Sequence, residues 1–144
     1  MRFQAAKGLV ALAVSTMIVV TGPSAVALQV IAPGVPVNEG AVVKVLHGAH
    51  SSARADKGFV DSKLVGSLCR DAQKHADWMA RTGQFVHSGM PYWEVILTGP
   101  ETAEEAIHSW MKSRDHRKIL MSGGEIGFGH AAVDGVTYWV GLVR

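Results

Sequence analysis

The sequence predicts an α+β layered domain, an antiparallel sheet covered by helices. Three patterns carry that expectation. Leu64, Leu68, Ala72, Ala76 and Met79 recur at the spacing that lines one face of an α-helix. Ala103, Ala106, Ile107, Trp110 and Met111 do the same over a shorter stretch. Near the chain end, Ile126, Phe128 and His130 alternate with Gly127, Gly129 and Ala131. Asp134-Gly135 then supplies a hairpin turn before a return strand over Thr137–Val143.

The chain has 144 residues, room for one domain. Its first 27 residues are not expected to be part of the fold. Arg2 and Lys7 lead into an apolar run of 13 residues, Gly8 to Val20; Gly22-Pro23 and the small residues Ala25 and Ala27 follow. This is the order of a secretory signal peptide, with cleavage expected after Ala27. The run falls short of the roughly 20 residues of a transmembrane helix, so no permanent membrane span is expected. Residues 28–38 hold two prolines and a glycine and read as an extended lead-in. The domain is then expected over 39–144.

Asn38 is a candidate cap for a first helix reaching about Arg54, with Val42, Leu46, Ala49 and Ala53 on one face. The valines at 42, 43 and 45 keep a strand open as the alternative. Gly58 breaks the pattern. A second helix is expected from about Ser62 to Arg81, with Lys63, Arg70, Lys74 and Asp77 mainly off its apolar stripe and Gly83 as its C-terminal cap. The stretch YWEVILT, 92–98, reads as a short strand. Thr102 and Glu105 have the spacing of a capping box at the start of the third helix. RDHRKILM, 114–121, adds a helical turn before Gly123-Gly124.

Charge narrows the partners. The chain has 14 basic and 12 acidic residues, and loss of residues 1–27 leaves 12 of each. A near-neutral chain lacks the basic face that offsets phosphate, so nucleic acid is not an expected partner. Cys69 is the one cysteine, which leaves a secreted protein without an internal disulfide. Within its helical pattern Cys69 reads as a small buried hydrophobe, with a reactive or intermolecular thiol as the other option.

Seven histidines offer candidate chemistry. His47, His50, His75, His108 and His130 lie within predicted elements and read as surface or hydrogen-bonded core residues. His87, Glu94 and His116 lie at element boundaries, where scaffolds present functional groups. No HExxH, CxxC pair, GxSxG elbow or Walker loop is present. Two histidines and a carboxylate can hold zinc with water in the fourth position, or bridge through hydrogen bonds without metal. Spacing leaves both open.

Six segments in order resemble one family. They are HSSAR at 50–54, LCRDAQKHA at 68–76, HSG at 87–89, Glu94, WMKSRDHRKIL at 110–120, and IGFG with its terminal aromatic strand. Together they resemble the bacterial branch of the CAP superfamily: the cysteine-rich secretory, antigen 5 and pathogenesis-related proteins, also called SCP-like. The resemblance spans about His50 to Leu142. It implies an α-β-α sandwich with a small central antiparallel sheet. It also implies a cleft lined by two histidines and up to two glutamates, which in some members holds zinc or another divalent cation. By position these are His87, His116 and Glu94, with Ser113 where the second glutamate stands. Trp93 and Val95 replace the usual glycine and asparagine around Glu94. The disulfides of the eukaryotic members are absent, and the spacing between Gly58 and Leu68 departs from the usual one.

The resemblance implies a secreted or extracytoplasmic protein of the periplasm or cell envelope, with no reaction shared across the family. The first functional expectation is a non-enzymatic binding module whose His/Glu cleft takes a lipid or other small apolar ligand, a cell-envelope component or a signalling ligand. The alternative is a divalent-metal-dependent hydrolase. There His87 and His116 hold the ion, and Glu94, the candidate catalytic residue, is a third ligand or a general base. A third option makes His87, His116 and Glu94 a structural tie between sheet and loops. Tyr92, Trp110, Tyr138 and Trp139 read as core, whereas Trp93 reads as core or cleft wall. Arg114, Arg117 and Lys118 read as a solvated helix face, with an anionic lipid or cell-wall polymer as a candidate contact.

Overall fold

A computed structural model describes residues 39–144 of the protein. The expected signal peptide, the expected lead-in and the expected Asn38 cap lie outside the described residues. The described residues form α1 (Glu39–Asp56), β1 (Lys63–Leu64), α2 (Gly66–Thr82), β2 (Trp93–Thr98), α3 (Ala103–Lys112), α4 (Arg114–Met121), β3 (Glu125–Val133) and β4 (Val136–Val143). No helix among them is long and apolar enough to cross a membrane.

The hairpin sets the sheet. Asp134 and Gly135 adopt φ of 49° and 77°, the left-handed pair that a tight two-residue hairpin turn requires. Around that turn β3 pairs antiparallel with β4 from Val133↔Val136 back to Ile126↔Val143. β2 pairs antiparallel with the other edge of β4, with Glu94 opposite Leu142. The sheet order is β1-β3-β4-β2.

One expectation needs correction. The sheet is mixed rather than purely antiparallel, because Lys63 and Leu64 pair parallel with Glu125 and Ile126. These residues were expected to open the second helix. Their backbone instead joins the ladder, with Lys63 N–H on Gly124 O and Val65 N–H on Ile126 O. The helix therefore begins at Gly66. Leu64 leaves the α2 stripe and packs on the opposite side of the sheet. RDHRKILM is likewise more than an added turn; it is an eight-residue helix separated from α3 by Ser113.

Each sheet face has its own core. Leu46, Ala106, Ile107, Trp110, Leu120, Phe128 and Trp139 pack under α1, α3 and α4. Leu68, Ala72, Ala76, Met79, Ile96, Val140 and Leu142 pack under α2. The result is an α-β-α sandwich, as expected. The α2 layer sits unusually close to β3. A Cβ on Gly127 would lie 2.3 Å from Leu68 backbone carbon, and one on Gly129 would lie 2.4 Å from that of Ala72. Only residues without a side chain allow this approach. The Thr102–Glu105 capping box is formed in both directions at the start of α3, and Gly83 closes α2 by donating to Met79 O.

A buried polar clamp joins α1 to the end of α4. Arg54 donates to Val60 O at 2.7 Å, Leu120 O at 3.0 Å, Ser122 O at 3.3 Å and Gly123 O at 3.3 Å. His50 Nε2–H donates to Leu120 O at 2.9 Å, and Ser62 Oγ–H lies 3.2 Å from His50 Nδ1 as its donor. His50, Arg54 and Ser62 are all buried. Burial holds the His50 pKa below its usual value; the Leu120 carbonyl opposes this and the nearby Arg54 charge adds to it. The last carbonyls of α4 thus find donors that the helix itself cannot supply.

Candidate functional site

The candidate residues come from three elements. His87 and Ser88 lie in the loop between α2 and β2, Glu94 is the second residue of β2, and Ser113 and His116 bracket the start of α4. Side chains alternate along β2. Val95 enters the core under α1, α3 and α4, whereas Ile96 enters the one under α2. Glu94 shares the Ile96 face and so points to the α2 side.

There its carboxylate is nearly buried, with 7 % of the side chain exposed. Oε2 accepts from His87 Nδ1–H at 2.6 Å and from Ser88 N–H at 2.9 Å. Two donors on one oxygen, one from an imidazole, fix both the loop and the His87 ring. The His87 side chain is itself 62 % exposed, and Nε2 is the ring nitrogen that Glu94 does not engage. The other carboxylate oxygen, Oε1, is buried without a hydrogen-bond partner. It lies 3.9 Å from His75 Nε2.

His75 is the residue that the sequence did not single out. It lies on the buried face of α2, donates Nε2–H to Val86 O at 2.8 Å and stacks on Trp78 with ring centroids 5.7 Å apart. It anchors the loop one residue before His87. Its one legible signal is a titratable side chain within an apolar helix stripe, a position that requires a partner.

His116 approaches from α4 and is half-buried. Burial lowers its pKa, and the nearby His87 charge lowers it further against an opposing effect of Asp115. Ser113 ends α3 and begins α4; its N–H donates to Trp110 O and its carbonyl accepts from Arg117 N–H. Trp110 in turn donates its indole N–H to Ile96 O at 3.2 Å, tying α3 to β2. Trp93 is 68 % exposed and is not core. Arg117 departs from the solvated face expected for it, because it donates to Met111 O at 2.7 Å and braces the α3–α4 junction. Arg114 and Lys118 are exposed.

The donor set fits a divalent ion poorly. His87 Nε2 and a His116 nitrogen are candidate ligands. Glu94 stands behind His87, in the place of a carboxylate that orients a ligating histidine rather than one that ligates. Among the described residues, no group of three or more His, Cys, Asp or Glu side chains is arranged to hold a metal ion. Catalytic zinc sites use three protein ligands.

The remaining histidines are His47, His108 and His130. His47 Nε2 contacts Ser62 O, and His108 is exposed. His130 packs tilted at 34° against Trp139 with centroids 4.0 Å apart, its Nε2 is buried without a hydrogen-bond partner, and burial lowers its pKa. Cys69 is a free, half-buried thiol on α2.

Comparison with known proteins identifies the family and the fold. The model of the cysteine-rich secretory protein family, CAP, matches residues 47–143. Among solved structures, an outer surface protein of Borrelia burgdorferi aligns with a TM-score of 0.62 at 16% identity, over 69% of this chain and 88% of that one. Venom allergen-like protein 4 of Schistosoma mansoni aligns with a TM-score of 0.56 at 14% identity, over 69% and 85%. A cysteine-rich secretory protein of Staphylococcus aureus aligns with a TM-score of 0.55 at 21% identity, over 76% of this chain but 41% of that one. No curated protein matches the chain.

Proposed function

The chain belongs to the cysteine-rich secretory protein (CAP) family, and from that membership and the cleft geometry we propose that it is a secreted or envelope-associated module that binds a ligand without turning it over. The observation that carries the reading is the commitment of Glu94. One carboxylate oxygen is occupied by His87 and Ser88, and the other is buried facing His75. A general base must reach the proton it removes, and Glu94 is turned to the α2 side, behind His87. What remains presented is the His87 ring, a group suited to hydrogen-bonding a ligand. Two structural relatives are themselves described as an outer surface protein and a cysteine-rich secretory protein, which supports placement outside the cytoplasm.

The alternative, a divalent-metal hydrolase on His87, Glu94 and His116, needs Glu94 as ligand or base, and the contacts of Glu94 favour it as the orienting group. The test is turnover of peptide and ester substrates with and without added Zn²⁺. No activity above that of His87→Ala is expected. Hydrolysis that is present in the parent and lost in His87→Ala would sink the binding reading.

A further inference from the structure

An open cavity of about 330 Å³ lies beside His87, between α2 and the loop that follows it. It is at the small end of ligand sites, enough for one ring rather than a chain of them. Trp78 and Met90 give it an apolar floor. The indole is braced by stacking at 13° on His75, which is buried and tied to Val86 O. Polar groups surround that floor. Asp71 is engaged only at long range, by Tyr92 O–H at 3.3 Å and Lys74 Nζ at 3.8 Å. A carboxylate has about four acceptor sites, so Asp71 retains capacity for a ligand hydroxyl. Lys74 is exposed and offers donors, and His87 lines the cavity with Nε2 not engaged by Glu94.

A ligand for this site needs a flat apolar face and a polar edge carrying both donors and acceptors. An acyl chain would cover the floor and strip water from Asp71 and Lys74 without replacing it, which is costly. A pyranose ring has both features: axial C–H groups that pack on the negative face of an aromatic, and hydroxyls around the edge. We propose that this cavity binds a pyranose ring of a glycan, with its C–H face on Trp78 and its hydroxyls on Asp71, Lys74 and His87. The open mouth lets the rest of the polymer run on across the surface. This names the ligand class of the proposed binding module and rests on that reading.

The test is a ¹H–¹⁵N NMR titration of the full chain with the N-acetylglucosamine trimer and with cellotriose, alongside myristate and trialanine. The indole N–H signal of Trp78 is assigned by its loss in Trp78→Phe. One trisaccharide is expected to shift that signal saturably. Asp71→Asn, a change on a partly exposed side chain, is expected to weaken binding at least about tenfold, and Trp93→Ala to leave it unchanged. If neither trisaccharide moves the Trp78 signal, or if Asp71→Asn binds as tightly as the parent, the sugar site is wrong. A shift with myristate or trialanine instead overturns the sugar and leaves the binding module standing. Cleavage of a bound trisaccharide would do the reverse, keeping the sugar and overturning the reading of a module without turnover.

Discussion

Two clusters built around histidines lie in this domain, and they are finished to different degrees. In the clamp, His50, Arg54 and Ser62 are buried, both ring nitrogens of His50 have partners, and Arg54 serves four carbonyls. In the cleft, one oxygen of Glu94 holds two donors while the other holds none, and His87 faces solvent. The clamp closes its hydrogen-bond account inside the protein. The cleft leaves groups open toward whatever arrives. Burial with complete pairing marks structure, whereas burial with an orphan beside an exposed ring marks a place for something else.

Breaking the clamp gives the largest expected effect. Arg54→Ala strips donors from Leu120, Ser122 and Gly123 carbonyls at once and is expected to cost about 3–5 kcal/mol in urea unfolding. A loss below about 1 kcal/mol would show that water replaces the guanidinium freely and that the clamp is incidental.

Acid comes next. His50, His116 and His130 all have pKa values lowered from the usual 6.5, with burial the first cause in each. As pH falls, the unfolded chain takes up protons at these sites before the folded chain does. Their contribution to stability is therefore complete above about pH 6.5 and is lost below it. Urea midpoints at about pH 7.5 and about pH 5 are expected to differ, and His50→Gln to shrink the difference. An unchanged difference would move the acid sensitivity away from the clamp.

The cleft gives smaller changes in stability. Glu94→Gln is expected to cost about 1–2 kcal/mol in urea unfolding and to speed amide hydrogen exchange at Ser88, since the charged acceptor shared by the Ser88 N–H and the His87 ring is gone. Unchanged exchange at Ser88 would mean that the carboxylate does not hold this loop in solution. His87→Ala is expected to change stability least, by about 1 kcal/mol or less, because its side chain is mostly exposed. Loss of ligand binding in that variant, with stability kept, would separate the two clusters most sharply.

The sequence was most legible where the deciding partners are close in the chain. The α2 and α3 stripes, the Thr102–Glu105 cap and the Asp134-Gly135 turn each follow from residues within a turn or two of one another. β1 was missed because its partners, Glu125 and Ile126, lie some sixty residues on, and the local pattern read equally well as helix. His75 was read as a surface or hydrogen-bonded core residue, and it is the latter, but its link to the cleft was not legible for a related reason. Its role depends on Val86 and Glu94, and nothing next to it in sequence announces either. His87, Glu94 and His116 were named as candidates, yet spacing could not say that Glu94 turns toward α2 and stands behind His87. That depends on strand alternation, which needs the register of β2 on β4.

Gly127 and Gly129 set a gauge for the cleft although neither is near it in sequence. α2 rests on β3 at the depth of two missing methyl groups, and α2 is the arm that carries His75 and Trp78. Adding one carbon at Gly129 would act as a shim, lifting the arm from the sheet while Glu94 stays fixed in β2. The 3.9 Å spacing between His75 and Glu94 would then open by leverage, from a position that touches neither residue. Substitutions in the middle of β3 are in this sense changes to the cleft.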